Sequence, residues 1–206
     1  MLVALWVATH AALTPCRLSN PRMSAAPVSA APAKSRADAA FDELTWRVAA
    51  FDELTVCELY DVLELRQRIF VLEQTCLFPD IDGADQRFLH LIAYDGDKLV
   101  GYTRMGDVGT SYPEALTVGR VIVAPSHRGA GLSYPLMRRS IDAVRARYGR
   151  HLPVIIGAQA HLQRLYTRLG FVASSEEYDE DGIPHIDMTL PQGEAVGSFS
   201  STSSEE

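Results

Sequence analysis

A chain of 206 residues with 19 basic and 26 acidic side chains carries a formal net charge of −7. That length gives one domain of ordinary size with an adequate core, and an apolar content of 47% is normal for a globular protein. No apolar run is long enough for a confident membrane span. The three cysteines, Cys16, Cys57 and Cys76, form no CxxC pair, which argues against a disulfide framework and against a zinc site.

The first forty residues differ in kind from the rest. They hold Arg17, Arg22, Lys34 and Arg36, and the first acid is Asp38. A short apolar start is followed by an Ala/Ser/Pro-rich stretch, the composition of an organelle transit peptide. Residues 1–40 are therefore expected to be a targeting or disordered leader, for a plastid or mitochondrion. If the leader is not functional, the protein stays in the cytoplasm. Removing its four basic residues and one acid from 19 and 26 leaves 15 against 25 in the remainder. Such a balance disfavours non-specific nucleic-acid binding and weakly favours a cationic substrate.

Residues 46–51 form a plausible first strand. Thr55 then caps a helix, with Glu58 three residues on completing a capping box. Val56, Leu59, Tyr60, Leu63 and Phe70 suit one buried face, which Ile69 broadens, and the helix is expected to fray near Phe70. Residues 75–87 read as a loop. Its fragment Asp80-Ile81-Asp82-Gly83 falls short of a calcium loop, because the glycine comes too early and Leu91 or Ile92 stands where the glutamate should be. A turn built from Asx and Gly is the better reading. Two strands, 88–94 and 99–105, flank Asp95-Gly96, a strong hairpin signal. The next strand, 116–123, is closed by Ala124-Pro125.

A polar turn follows, Arg128-Gly129-Ala130-Gly131, and then an amphipathic helix with Leu132, Leu136, Met137, Ile141, Val144 and Tyr148 at helical spacing. Strand, glycine-rich turn and helix N-terminus together make an anion site. The terminus presents unpaired N–H groups and the positive end of the helix dipole. Gly129 and Gly131 let a ligand approach the backbone, and Arg128 can add a fork to a phosphate oxygen. Residues 152–158 are almost all apolar, the pattern of a strand covered on both faces. Residues 160–169 read as a short helix ended by Gly170. Residues 171–176 and 185–190 form a last antiparallel pair around Asp181-Gly182, and the Gly/Ser-rich residues 192–206 are expected to be a disordered tail.

These residues match a known pattern. Val123-Ala124-Pro125, then Arg128-x-x-Gly131 and Leu136-Met137, resembles motif A of the GNAT N-acetyltransferases, with Ser133 in place of the usual final Gly or Ala. Leu165-Tyr166-x-x-x-Gly170-Phe171 resembles the end of motif B. The ElaA-like branch is indicated by Leu65-Arg66-x-x-Ile69-Phe70-Val71-x-Glu73-Gln74, by Asp80-Ile81-Asp82-Gly83, by residues 119–123 and 157–163, and by Glu180-Asp181-Gly182-Ile183-Pro184-His185. Together these blocks cover about residues 46–190.

The resemblance implies an α/β GNAT fold over residues 41–191: a mixed, mostly antiparallel sheet with a splayed parallel strand pair and flanking helices. It implies acetyl-CoA as cosubstrate, no metal, and a small-molecule or peptide amine as acceptor. Homodimer formation is left open. In such a site Val121, Ile122 and Val123 would meet the cofactor through backbone, with an N–H near Val123 polarising the thioester. Arg128, Gly129, Ala130, Gly131, Leu132 and Ser133 would hold the pyrophosphate. Tyr166 is the implied acid for the departing thiolate. Glu73 and His161 are the first candidates for the base, with a water chain to solvent as an equal rival. Gln159 takes a polar role near the cofactor or caps the following helix. His90 and His185 lie in expected strands, where a lone histidine is more often packed or at the surface. A dinucleotide fold would need a third glycine and a ribose-binding acid, and a P-loop would need GK[ST]; both are missing. The rival function is a GNAT-like module that binds acyl-CoA without turnover.

Overall fold

The computed structural model describes residues 41–193, so the expected leader and nearly all of the expected tail lie outside the described residues. The chain runs β1 (Thr45–Ala50), α1 (Val56–Arg66), β2 (Phe88–Asp95), β3 (Lys98–Gly106), β4 (Leu116–Val123), α2 (Ser133–Tyr148), β5 (Val154–Gln159), α3 (Gln163–Arg168), β6 (Val172–Ala173), β7 (Tyr178–Glu180) and β8 (Ile183–Leu190). One sheet joins all the strands in the order β1-β2-β3-β4-β5-β8-β6, with β7 on β8. Every pairing is antiparallel except β4 with β5. This is the mixed, mostly antiparallel sheet with one parallel pair that the sequence implies.

Two apolar clusters hold the layers together. Leu136, Met137, Ile141 and Val144 of α2 pack on β4 and β5 together with Tyr166 and Phe171. Val62, Leu65 and Ile69 pack on Ile92, Tyr102 and Ile122. Each such side chain contributes roughly 1.5–3 kcal/mol by leaving water.

The capping box at Thr55 forms as expected. The Thr55 hydroxyl accepts from the Glu58 amide at 3.2 Å, and the Thr55 amide donates to the Glu58 carboxylate at 2.8 Å. The expected buried face of α1 does not form: Val56 and Tyr60 are 80% and 72% exposed, while Val62, Leu65 and Arg66 are buried. A buried arginine goes with this rotation: Arg66 turns inward beside Val62 and Leu65 to reach Asp80 and Asp85 of the segment that follows. Beyond Arg66 the backbone does not fray but widens into a π-helix over Gln67–Glu73, a local irregularity frequent at functional sites.

β5 is covered on one face only. Val154, Ile156 and Ala158 are buried, whereas Gly157 is exposed and Gln159 half-buried; the open face borders a cleft. The final pair is also more broken than expected. β6 keeps two residues, and a separate β7 makes the Asp181-Gly182 hairpin with β8.

Candidate active site

β4 and β5 are in register only at Leu116–Val154 and Thr117–Ile155. Beyond these pairs the two strands share no further register. A bulge on β4 lies beside the opening. Tyr102 faces Ile122 and Arg104 faces Gly119, so Arg120 and Val121 together oppose Thr103, and Arg120 takes a left-handed φ of 51°. Such a bulge bends and twists the strand that carries it. Past it, the Ala124 amide donates to the Val100 carbonyl at 2.8 Å. Backbone groups alternate along a strand, so the Val123 N–H and C=O point away from β3, into the gap. Its carbonyl there accepts from Arg128 Nε at 3.1 Å.

The turn after β4 leaves its glycine backbone accessible. Gly129 and Gly131 have φ of 76° and 90°, with nothing within 4 Å of where a Cβ would stand. Leu132, at the N-cap of the 16-residue α2, makes no side-chain cap. No capping side chain therefore competes for the first N–H groups at the positive end of the helix dipole, of which the Tyr134 amide donates to the Gly131 carbonyl at 3.2 Å. Arg128 is occupied: its guanidinium donates to both carboxylate oxygens of Glu73, at 2.7 and 3.1 Å.

The gap opens into a cleft of about 370 Å³. One wall comes from the π-helix and the loop after it (Phe70, Gln74, Phe78), and the opposite wall from Tyr112, Tyr178 and His185. Tyr166 also lines it. Its side chain is 5% exposed, packs edge-on to Phe171 at 6.0 Å, and its hydroxyl has no hydrogen-bond partner among the described residues. Burial pushes its phenol up to about 12. Gly157, opposite Asp187 in the β5–β8 register, leaves room for the Tyr178 hydroxyl, which would lie 3.2 Å from any Cβ there. The Tyr178 hydroxyl donates to Asp187 at 2.9 Å. Tyr112 is pushed up to about 12, first by burial and then by Asp187 and Glu180.

Of the residues singled out from sequence for the site, Val121, Gln159 and Tyr166 meet in this cleft, together with the strand histidine His185. Gln159 does not cap; its amide reaches Gln74 across the cleft at 3.4 Å. The Ile122 side chain is in the core under α1. Ala130 is exposed, Ser133 half-buried at the helix start, and Leu132 1% exposed. Glu73 is exposed and paired with Arg128, and neither it nor the exposed His161 lines the cleft.

Sequence reasoning missed an ion network behind the Phe78 wall. Arg66, fully buried, donates to Asp80 at 2.8 Å and to both oxygens of Asp85 at 2.9 Å. Arg104 bridges Asp82 and Asp85 at 2.8 Å. Arg120, on the bulge, donates to Asp80 at 2.7 Å and lies over the Phe78 ring at 5.2 Å. Three arginines and three aspartates balance. The fragment read as an Asx/Gly turn thus anchors one wall of the cleft to the bulge of β4. His90 is packed as a strand histidine commonly is, accepting from the Tyr102 hydroxyl at 2.8 Å and donating to the Asp85 carbonyl at 3.1 Å.

A sheet that splays at its parallel pair, beside an uncapped helix N-terminus, is the plan of a GNAT acyltransferase. Residues 70–191 match the family model described as an acetyltransferase (GNAT) domain, and the chain belongs to that family. More narrowly, it is similar to protein ElaA of Escherichia coli (strain K12), with 39% identity over 149 residues, 70% of this chain and 95% of ElaA. The crystal structure of Escherichia coli ElaA superposes with a TM-score of 0.67 at 38% identity, covering 71% of this chain and 98% of that one. An acyl-CoA N-acyltransferase from Pseudomonas aeruginosa gives the same TM-score at 40% identity, again over 71% and 98%. Membership carries acyl transfer from an acyl-CoA to a small-molecule acceptor as the class of chemistry.

Proposed function

We propose that this protein transfers an acetyl group from acetyl-CoA to a primary amine by direct attack. The observation that carries the reading is the gap between β4 and β5, into which the Val123 amide points and which the unpartnered Tyr166 hydroxyl lines. An edge of free strand amides suits a pantetheine arm. The open glycines of the turn and the uncapped start of α2 suit its pyrophosphate.

Each group then has a task. The Val123 N–H, fixed by the strand, stabilises negative charge on the thioester oxygen as the amine adds; a donor already in place costs no reorganisation at that moment. The Tyr166 hydroxyl serves the departing sulfur. Burial holds its phenol well above a thiol near 8.5, so it stays protonated at working pH and is always a donor. For the same reason full proton transfer to a free thiolate is uphill. Tyr166 acts as a hydrogen-bond donor that completes the transfer only while the sulfur is held out of water.

Isothermal titration of the full chain with acetyl-CoA, beside an Arg128→Ala/Gly131→Glu variant, tests the donor half. Thiol release with a panel of primary amines tests the acceptor half. Saturable binding that the variant loses, together with amine-dependent thiol release, is the expected result. Binding without turnover of any amine would make the protein an acyl-CoA-binding module, and no binding would sink the reading altogether.

A further inference from the structure

An amine arrives as an ammonium ion and must lose a proton before it can attack, so the cleft needs a base. The two carboxylates nearest the donor side are committed: Glu73 to Arg128, and Asp80 to Arg66 and Arg120. Asp187 accepts from Tyr178. The Tyr112 and Tyr178 phenols and the Cys76 thiol, which all line the cleft, are raised by burial first, and stay protonated.

His185 remains. It lines the cleft at the end of β8, opposite Gln159 of β5 in register, with a side chain 13% exposed. Its ring stacks on Tyr178 at 6.2 Å and 27°. Its Nδ1 lies 2.8 Å from the Ile183 carbonyl. A carbonyl can only accept, so Nδ1 carries the proton and Nε2 is left with its lone pair. Glu180 Oε2 stands 3.8 Å from that Nε2, on a side chain 57% exposed to solvent. The distance is too long for a hydrogen bond to the neutral ring and within ion-pair reach of a ring that has taken a proton. The charged and titratable groups around the ring are Glu180, Asp181, Tyr178 and Asp187, and none is a cation. Across the cleft, Arg120 is matched by Asp80.

We propose that His185 is the general base of the acetyl transfer and that Glu180 steadies its protonated form and leads the proton to solvent. The inference rests on the acetyltransferase reading above. The ammonium gives one proton to Nε2. The freed lone pair forms the C–N bond at the thioester carbonyl carbon, and the C–S bond breaks with its electron pair leaving on sulfur. Tyr166 gives its proton to that sulfur and recovers one from the nitrogen. One ammonium and one thioester thus become one amide, one thiol and one proton, which leaves past Glu180.

The test compares full-length wild type, His185→Gln and Glu180→Gln at saturating acetyl-CoA. The probes are 2-phenylethylamine, putrescine and lysine methyl ester, with thiol release followed from about pH 6 to 9 and acetyl-CoA affinity measured by titration. His185→Gln is expected to lose roughly 100-fold in kcat/KM for the amine at neutral pH, within the usual range for a positioned base. Its acetyl-CoA Kd should stay within about twofold, because the base does not touch the donor phosphates. Its rate should then climb about tenfold per pH unit towards wild type, as solution supplies the free amine. A structural defect would not produce that recovery. Glu180→Gln should lose about fivefold at neutral pH and close the gap at high pH. A His185→Gln enzyme as active as wild type, or depressed equally at every pH, overturns the proposal. So does an unaltered Glu180→Gln profile should the histidine variant fail to fold. Wild type that turns over no probe refutes the acetylation reading and this inference with it; active wild type beside an unaffected His185→Gln refutes the inference alone.

Discussion

The two sides of the cleft are built by opposite means. The proposed donor side is a single run of chain, residues 121–133, and offers mainly backbone: the Val123 amide, two glycines in the left-handed region, and the first turn of α2. The proposed acceptor side gathers the π-helix, the loop after it, the β4 bulge and the β7–β8 hairpin, which line the cleft. Ion pairs hold part of it together across long stretches of sequence, Asp80 and Arg120 being 40 residues apart. A backbone site depends on the path of one segment and tolerates many side chains. A side-chain site depends on every partner being present at once.

The contrast predicts where substitution does most harm. Removing Arg66 leaves Asp80 and Asp85, both under 10% exposed, without one of their cations. Breaking a buried pair from one side costs about 3–5 kcal/mol. Arg66→Ala should therefore lower the midpoint of urea unfolding sharply or prevent folding, and an effect below about 1 kcal/mol would show that water enters the cluster freely. Acid probes the same network. Hydrogen bonds from Arg104, acting against burial, hold the Asp82 carboxyl well below the usual carboxylate range. A carboxyl that is lower in the folded than in the unfolded chain contributes stability above about pH 4, and the contribution drains away as pH falls further. Urea midpoints of Asp82→Asn should thus fall less steeply than those of wild type between about pH 4 and 2.

Tyr166→Phe tests the meeting point of the two sides. The ring, with its edge contact to Phe171, is kept and only the unpartnered hydroxyl is lost. About a 100-fold fall in kcat is expected, with acetyl-CoA affinity little changed. Burial places the phenol at about 12, so the wild-type kcat profile should show no tyrosine limb up to about pH 10. A fall in affinity with kcat intact would make Tyr166 a packing residue.

Legibility in the sequence follows the same division. The strand, turn and helix around Arg128 could be read because β-branched residues, glycines and a helical apolar period occur side by side. So could the capping box at Thr55 and the Asp95-Gly96 hairpin. The face of α1 could not, because Arg66 is buried for the sake of aspartates 14 and 19 residues on, and no local period reports that. Asp80-Ile81-Asp82-Gly83 looked like an ordinary turn for the same reason: its partners, Arg66, Arg104 and Arg120, stand on three other elements. The hydrogen bond that sets the His185 tautomer is local, only two residues back to Ile183, yet its position in the cleft is not, since the β7–β8 hairpin and the end of β5 bring it there.

The smallest expected effect lies on the seam between the sides. Arg128 is shared: its Nε bonds the Val123 carbonyl, and its two terminal nitrogens bond Glu73. Both side chains are more than 40% exposed, and a pair of this kind is worth about 0.2–1 kcal/mol. A pyrophosphate at the start of α2 competes with Glu73 for the same fork. Glu73→Gln removes the competitor's charge while leaving the arginine in place, so acetyl-CoA should bind about two- to threefold more tightly. Arg128→Ala removes the fork itself and should weaken binding by about tenfold, the loss of a charge-assisted bidentate contact. The opposite signs are the informative part. If both substitutions weaken binding, Glu73 orients Arg128 for the phosphates rather than competing for it. The gain in Glu73→Gln should also shrink with added salt, which screens exposed charges; a gain that persisted would have to come from the shape of the π-helix and not from its charge.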